Sequence, residues 1–210
     1  MKPPGRSDYK GMSDERQSMN IQFLSDQLTE HIDCFTTLKQ QAPEILRAAD
    51  ELMAALDAGN KILVCGNGGS AADAQHFAAE LIGRFERERS SYPAVALTTD
   101  TSILTAIGND YGFDHVFSRQ IAGLGRQGDA LIAISTSGNS PNVLEAVNTA
   151  ASMGIRTIGL LGRDGGRLKE AVACPVVVSH ARTARIQEAH CFILHFWASC
   201  VDEGVQIQSP

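Results

Sequence analysis

The sequence lacks any uninterrupted apolar run close to the roughly 20 residues that a membrane-spanning helix needs. It also lacks an excess of basic residues, since 18 Lys and Arg stand against 24 Asp and Glu and give a formal net charge of -6. A surface with that balance repels a nucleic-acid backbone. We therefore expect no membrane partner and no direct binding of nucleic acid.

Cysteine is scarce and never forms a CxxC pair; the five cysteines are Cys34, Cys65, Cys174, Cys191 and Cys200. An odd and scattered set does not predict a disulfide framework, and 210 residues with 43% hydrophobic content suffice for one packed core. No apolar stretch follows Lys2 and Arg6, as it would in a secretory signal peptide. These observations predict a single cytoplasmic domain with reduced thiols.

The first 19 residues lack an apolar period and carry two prolines and two glycines. Such a polar segment cannot bury enough apolar surface to order itself. We expect residues 1–19 to be a disordered extension, or an artefact of the assigned start with Met12 or Met19 as rival starts. Residues 20–210 are expected to form the folded domain.

Two amphipathic helices are expected first, because apolar residues recur at helical intervals from Ile21 to Phe35 and again from Ile45 to Leu56. Short apolar segments then alternate with helical patterns. The predicted strands cover residues 61–65, 94–97, 130–135, 157–161 and 175–178, and the clearest helices cover 71–88, 141–153 and 184–203. This alternation predicts an α/β fold with a doubly wound, five-stranded parallel sheet, helices on both faces and ligands at the carboxyl ends of the strands.

The most specific motif is Ser135-Thr-Ser-Gly-Asn-Ser140, which follows the third predicted strand and precedes Pro141. Four hydroxyl side chains, a glycine and the free N–H groups of a starting helix form a suitable site for a phosphate dianion without any lysine. The alternative is an ordinary Ser/Thr cap on a strand-to-helix turn. The density of hydroxyl groups favours phosphate binding.

A second glycine-rich loop, Cys65-Gly-Asn-Gly-Gly-Ser70, follows the first strand. It fits a relaxed dinucleotide fingerprint, but the second strand ends in Thr98-Thr99 instead of the acidic residue that the fingerprint requires. Asn67 and Ser70 suit sugar hydroxyls, and a tight glycine turn without a ligand fits this loop equally well. We therefore rank a sugar site above a nucleotide site.

Candidate acid and base groups lie on two predicted helices. His76 and Glu80 are four residues apart and share a helix face, where they could bind a metal or share a proton. On the last helix, His195 lies in a largely apolar run, and spacing does not choose between Gln187 and Glu188 as its partner. A solvated surface pair and a buried structural histidine are the alternative interpretations.

Together, a phosphate loop, a carboxylate and an imidazole are the parts that an aldose/ketose isomerisation needs. A general base removes a proton from the carbon next to a carbonyl, and an acid or a Lewis acid stabilises the resulting enediolate. Zinc with histidine and carboxylate ligands could take the second role. The sequence therefore favours isomerase chemistry on a sugar phosphate.

Four segments carry a resemblance to a known family: Cys65–Leu81, Ile107–Tyr111, Ser135–Ser140 and Ala184–Glu188. They resemble the phosphoheptose isomerases of the sugar isomerase (SIS) fold, and the likeness extends from about Ile21 to the end of the last helix. It implies a flavodoxin-like SIS domain preceded by two N-terminal helices. It also implies conversion of D-sedoheptulose 7-phosphate to D-glycero-D-manno-heptose 7-phosphate, the first step towards ADP-heptose for lipopolysaccharide biosynthesis.

The resemblance implies Glu80 as the base and His195 as the acid, and a homotetramer with sites built across subunit contacts. One zinc ion per subunit is implied at His76, Glu80, Gln187 and His195. Substrate contacts are implied at Asn67, Gly68, Gly69, Ser70, Glu80, Arg84, Asn109, Asp110, Ser135, Thr136, Ser137, Ser140 and Gln187. Gln187 and His195 are separated by about 12 Å of helix, so they would have to converge from a distance. Some members have aspartate at the position of Ala184.

Two other functions remain open at this stage. A non-catalytic relative that associates with the bacterial replication initiator looks similar across the loops, but it lacks the glutamate and the final histidine. Glu80 and His195 are both present here, which favours the enzyme. An isomerase of another sugar phosphate is the other alternative, because the loops fix the phosphate end better than the length of the sugar.

Overall fold

Five parallel strands form the centre of the computed structural model, which describes residues 12–204, with side chains from residue 20 onward. The strands are β1 (Ile62–Gly66), β2 (Ala94–Ala96), β3 (Ala130–Ser135), β4 (Arg156–Gly162) and β5 (Cys174–Val178). Their order across the sheet is β2-β1-β3-β4-β5. This is the flavodoxin-like order, in which the topological switch point lies between β1 and β3. The predicted fold class is confirmed.

Eight α-helices surround the sheet in the part of the chain that the structure describes. They are α1 (Met12–Thr37), α2 (Ala42–Asp57), α3 (Gly69–Ile82), α4 (Thr101–Asp110), α5 (Ser118–Leu124), α6 (Pro141–Ser152), α7 (Gly166–Ala171) and α8 (Thr183–Glu203). The alternation in the sequence left α4, α5 and α7 without predicted bounds. These helices have 10, 7 and 6 residues, too few to display a clear apolar period.

The helices cover both faces of the sheet, which explains why the strands are almost continuously apolar. One hydrophobic cluster packs α1, α2, α3 and α8 against the sheet around Phe77 and Trp197. A second cluster packs α5, α6 and α7 against the opposite face around Phe117 and Leu131. Every residue of β1 and β3 is buried. A parallel strand with both faces buried has no polar face to alternate with the apolar one.

The helix predicted over residues 71–88 is wrong at its C-terminal end, because α3 ends at Ile82. Arg89 folds back and donates hydrogen bonds to Glu80 O and Leu81 O at 2.8 and 2.9 Å. The guanidinium group thereby satisfies carbonyl groups of the last helical turn that another turn of helix would have used. This contact is not visible in the apolar pattern of the sequence.

Helix α1 begins at Met12, earlier than the start predicted at Ile21. Residues 12–19 of the predicted extension form the first turns of α1, residues 1–11 lie outside the described residues, and the disorder predicted over residues 1–19 stays a prediction. A helix that is already nucleated extends readily through residues of good propensity such as Glu15, Arg16 and Gln17. The division into an extension and one domain otherwise stays a prediction.

Much of the apolar surface of α1 is exposed. The side chains with exposures between 54% and 77% are Ile21, Phe23, Leu24, Leu28 and Ile32. Exposed apolar patches of this kind are typical of surfaces that contact another molecule. No helix among residues 12–204 combines the length and the apolar content that crossing a membrane demands.

The buried histidine of α8 predicts a loss of stability in mild acid. His190 has no exposed surface, and its Nε2 donates to Leu161 O at 3.0 Å. Burial lowers the pKa of His190 from 6.5 to about 4, although the hydrogen bond to Leu161 opposes this shift. Between these two values the unfolded chain binds a proton that the folded chain does not, so the free energy of unfolding decreases as the pH is lowered, by up to roughly 3 kcal/mol.

Urea denaturation at a series of pH values between neutral and mildly acidic measures this loss. We expect His190→Gln, which has no titratable group, to flatten the pH dependence of the free energy of unfolding. His115→Gln, at an exposed position, should leave the parental slope. An unchanged slope in His190→Gln would assign the acid sensitivity to another group.

Candidate active site

The loop between β3 and α6 contains the hydroxyl side chains predicted to bind a phosphate. Ser135 Oγ lies 3.0 Å from Ser140 Oγ, so these two hydroxyl groups are hydrogen-bonded across the loop. Ser135 Oγ also accepts a hydrogen bond from the Gly138 N–H at 3.1 Å, and Ser137 Oγ accepts one from the Asn139 N–H at 3.2 Å. The structure therefore gathers the serines into one compact turn at the carboxyl end of β3.

Helix α6 begins at this loop with an N-terminus that its own N-cap side chain leaves free. Ser140 is the N-cap residue, but its hydroxyl makes no capping hydrogen bond. Thr136 is half-buried in the same loop. N–H groups in the first turn of a helix attract anions, and hydroxyl groups supply further donors. The loop and the helix N-terminus together can bind a phosphate without a cationic side chain.

Gly138 fixes the shape of this loop. Its φ of +67° lies in the left-handed region that favours glycine. A Cβ atom at this position would collide with the backbone of Gly165 and Gly166, and Gly138 O accepts a hydrogen bond from the Leu168 N–H at 2.9 Å. The loop after β3 therefore packs directly against the loop after β4.

The loop after β1 lies beside the phosphate loop. Asn67 and Asn142 exchange two hydrogen bonds of 2.9 Å, in which each side-chain amide donates to the carbonyl oxygen of the other. Asn142 is buried in the first turn of α6. Asn142 was not predicted as a site residue, and the position directly after Pro141 is the one sequence signal that could have identified it. Because the Asn67 amide is engaged within the chain, its contact with a sugar stays a prediction.

Gln187 packs against the loop after β1. A Cβ atom on Gly69 would collide with the Gln187 side-chain amide, so glycine at this position makes room for the glutamine. Gly68 precedes it with a φ of +56°, and Ser70 is buried where α3 begins. The structure therefore places Gln187 against Gly69, in the loop that also contains the predicted residues Gly68 and Ser70.

Glu188, the alternative that helical spacing left open, contacts a different part of the protein. Its Oε2 lies 2.8 Å from His31 Nδ1, and its Oε1 accepts a hydrogen bond from Arg185 Nη2 at 2.6 Å. Arg185 also donates to Gln27 O at 2.6 Å. Glu188 therefore attaches α1 to α8.

Three predicted catalytic and metal-binding side chains meet between α3 and α8. His76 Nε2 lies 2.8 Å from His195 Nε2 and 3.6 Å from Glu80 Oε1. One imidazole nitrogen of the pair must donate and the other accept. The side chain of Glu80 is 20% exposed and that of His76 is 45% exposed, so solvent reaches the cluster from the His76 side. The arrangement can hold and transfer protons.

Asp73 lies one turn before His76 on the same face of α3 and was not predicted. Burial raises the pKa of Asp73, and the nearby His76 partly offsets this effect. Its Oδ2 is buried and has no hydrogen-bond partner among the described residues. The spacing of three residues before His76 is the signal that could have identified it.

The donor atoms of the cluster suit zinc, but the fourth predicted ligand lies elsewhere in the chain. Two nitrogens on one tetrahedral zinc ion lie about 3.3 Å apart, whereas His76 and His195 share a direct hydrogen bond of 2.8 Å. Gln187 lies beside Gly69, about 12 Å before His195 along α8. Among the residues that the structure describes, no three His, Cys, Asp or Glu side chains are arranged to hold a metal ion.

Comparison with known proteins identifies the family. The family model of the SIS domain matches residues 26–162. A phosphoheptose isomerase of Geobacter metallireducens is 53% identical over 188 residues, which are 89% of this chain and 99% of that protein. The chain belongs to the phosphoheptose isomerase family of SIS-domain proteins. The resemblance predicted from the sequence motifs is confirmed.

Two solved structures of phosphoheptose isomerases match this fold closely. The structure from Neisseria gonorrhoeae has a TM-score of 0.82 and 48% identity, and the match covers 87% of this chain and 98% of that chain. The structure from Francisella tularensis has a TM-score of 0.83 and 37% identity, with coverages of 88% and 98%. The similarity therefore extends over most of this chain and nearly the whole of both solved structures.

Three further positions implied by the phosphoheptose isomerase family form no hydrogen bond or ion pair with His76, Glu80 or His195 in the described part of the chain. Arg84 pairs with Glu88 at 3.4 Å on the surface after α3. Asn109 Nδ2 donates to Asp110 Oδ1 at 2.7 Å at the C-terminal end of α4. Asn109 and Asp110 thus contact each other, whereas Arg84 forms no hydrogen bond with a predicted site residue among the described residues. Their substrate contacts stay predictions.

The close packing at Gly138 predicts that this position tolerates no side chain. We expect Gly138→Ala to lower the free energy of unfolding by about 1–3 kcal/mol through backbone strain, and to weaken the binding of inorganic phosphate. Gly123→Ala in α5 is the matched control, because an added Cβ there meets no atom within 4 Å. Chemical denaturation and calorimetric titration with phosphate measure both effects. Equal results for the two variants would contradict the structural role of Gly138.

Proposed function

We propose that this chain is a phosphoheptose isomerase that converts D-sedoheptulose 7-phosphate into D-glycero-D-manno-heptose 7-phosphate, the first step of heptose supply for lipopolysaccharide. The observation that carries the proposal is the meeting of Glu80, His76 and His195 between α3 and α8. A carboxylate beside two paired imidazoles is suited to moving protons at neutral pH. Similarity to phosphoheptose isomerases over nearly their whole length supports the choice of substrate.

The proposed reaction moves two protons and needs no external oxidant, because the two carbon atoms exchange oxidation states. Glu80 removes the proton from C1 of the ketose and returns it to C2, so one C–H bond breaks and another forms. His195 donates a proton to O2 as the enediol forms, and it takes up the O1 proton as the aldehyde forms. The hydrogen bond between His76 and His195 fixes the orientation of the His195 ring.

The Ser135–Ser140 loop binds the phosphate group of the substrate in this proposal. Its hydroxyl groups and the N-terminus of α6 supply hydrogen-bond donors for a dianion. Anchoring of the unreactive end restricts the sugar so that its carbonyl end meets the base and the acid. The loop sets the position of the phosphate, and the length of the accepted sugar depends on the distance to Glu80.

The complete site is shared between chains in this proposal. Glu80 lies about 15 Å along α3 from the loop after β1, and His195 lies about 12 Å along α8 from Gln187. One chain therefore holds its proton-moving groups away from its own phosphate-binding end. The exposed apolar surface of α1 supports assembly with further copies. We assign the assembly as a homotetramer, in which a neighbouring chain supplies Gln187 and the phosphate loop.

Zinc is part of the proposal, with one ion per subunit held by His76, Glu80 and His195 together with Gln187. When bound, zinc would supply Lewis-acid stabilisation of the negative charge that develops on the substrate oxygens. The nitrogen and oxygen donors of the cluster support this choice of metal. We place the protein in the cytoplasm, and the five free cysteines agree with a reducing compartment.

Removal of the proposed base should abolish turnover. We expect Glu80→Gln to lower kcat for D-sedoheptulose 7-phosphate by about a thousandfold or more, with an unchanged circular dichroism spectrum. Glu51→Gln is the matched control, since Glu51 forms a surface ion pair with Arg156 at 2.9 Å. Parental turnover by Glu80→Gln would remove Glu80 as the base.

The same assay should include a panel of ketose phosphates of different lengths, each with and without a chelator. The proposal expects the heptulose to be converted most efficiently and the chelator to reduce its turnover. If only a pentulose or hexulose phosphate is converted, the isomerase activity is supported but the proposed heptulose substrate is wrong. Full turnover after chelation would remove zinc from the proposal.

Mixing of two inactive variants tests the shared site. Gln187→Ala and Glu80→Gln homotetramers are each expected to be inactive. After they are unfolded and refolded together, contacts between unlike chains contain one intact Gln187 and one intact Glu80, so turnover should return. Mixed refolding that restores no activity, while light scattering shows mixed tetramers, would place the complete site within a single chain.

A further inference from the structure

Phe85 stacks on the ring of His195. The two ring centroids are 5.5 Å apart and the rings are inclined by 25°, which is an offset stacked arrangement. His195 also contacts His76 in an edge-to-face arrangement, with 5.0 Å between the ring centroids and 73° between the ring planes. Phe85 is partly buried against the core cluster around Trp197. The imidazole of His195 is thus held between an aromatic face and a hydrogen bond.

The segment that carries Phe85 is fixed by a single buried carboxylate of α8. Asp202 Oδ2 accepts hydrogen bonds from the backbone N–H groups of Glu86 and Arg87 at 2.7 and 2.8 Å. Asp202 Oδ1 accepts one from Arg89 Nε at 2.6 Å, and its side chain is only 3% exposed. Burial opposes the ionisation of Asp202, but these hydrogen bonds and the Arg89 charge lower its pKa overall.

Arg89 connects this segment to the end of α3. Its Nη2 and Nη1 donate to Glu80 O and Leu81 O, and its side chain is only 12% exposed. One ion pair therefore joins the helix that carries Glu80 to the helix that carries His195. Phe85 lies within the short connection between these two attachments, where its ring has little freedom to leave His195.

We infer that Phe85 is a positioning residue, which acts through His195 by fixing the plane of its imidazole ring relative to His76 and Glu80. The inference rests on the proposed function, in which His195 is the acid. Proton transfer depends on the direction of the N–H bond, and a misplacement of about 1 Å can cost about a hundredfold in rate. The Arg89–Asp202 ion pair keeps the ring of Phe85 in place.

Two substitutions separate positioning from packing. Phe85→Leu keeps an apolar side chain but loses the ring, and it should lower kcat about 10- to 100-fold with KM within about twofold of the parent. Phe85→Tyr keeps the ring and should retain kcat within about twofold. Arg87→Gln is the control from the same segment, because Arg87 pairs with Glu203 at the surface. It should change neither constant.

Nuclear magnetic resonance of the histidine rings gives a second measurement that does not depend on turnover. The ring current of Phe85 should shift the carbon-bound protons of His195 upfield, and the signal that His195→Gln removes identifies them. We expect this shift to disappear in Phe85→Leu and to persist in Phe85→Tyr. Unchanged His195 shifts in Phe85→Leu would overturn the inference, and so would a tyrosine variant as slow as the leucine variant.

Activity of His195→Gln distinguishes failure of this inference from failure of the proposed function. Parental turnover by His195→Gln would remove the acid assignment and the inference with it. An inactive His195→Gln beside a fully active Phe85→Leu would overturn the inference alone. Loss of turnover in both variants, with rescue by Phe85→Tyr, supports the positioning role.

Discussion

The site depends on two helices that run side by side in the same direction. Gln187 meets Gly69 where α8 and α3 begin, and His195 meets His76 seven to eight residues further along both helices. Because the two helices run parallel, residues at equal distances along them lie side by side. The contact between Gln187 and Gly69 therefore determines that His195 lies next to His76. The alignment that brings the imidazoles together also holds them about 12 Å from the glycine-rich loop of the same chain.

The fold was predictable because its determinants are local. Strands buried on both faces must be apolar at every position, and β1 and β3 show this as short uninterrupted runs bounded by glycine or polar residues. The serine loop after β3 could also be recognised from the sequence, since its hydroxyl groups are close together in the chain. His76 and Glu80 share a helix face through spacing alone, so their proximity also followed from the sequence.

Contacts between distant segments were not predictable in the same way. The choice between Gln187 and Glu188 depends on Gly69 and His31, which lie in other elements. Likewise, the last turn of α3 is capped by Arg89, which is held by Asp202. Asp202 is more than a hundred residues further along the chain. Such pairs leave no period in the sequence, because each partner looks like an ordinary charged or polar surface residue until the helices are packed.

The contact between Gly138 and the turn at Gly165 and Gly166 has a consequence for ligand binding. Backbone atoms of two neighbouring loops support each other there, so the serine loop takes its shape as the sheet folds, with no anion needed to organise it. Its conformational entropy is lost once, during folding. If the loop binds the phosphate as proposed, the binding free energy is not reduced by a cost of ordering the loop.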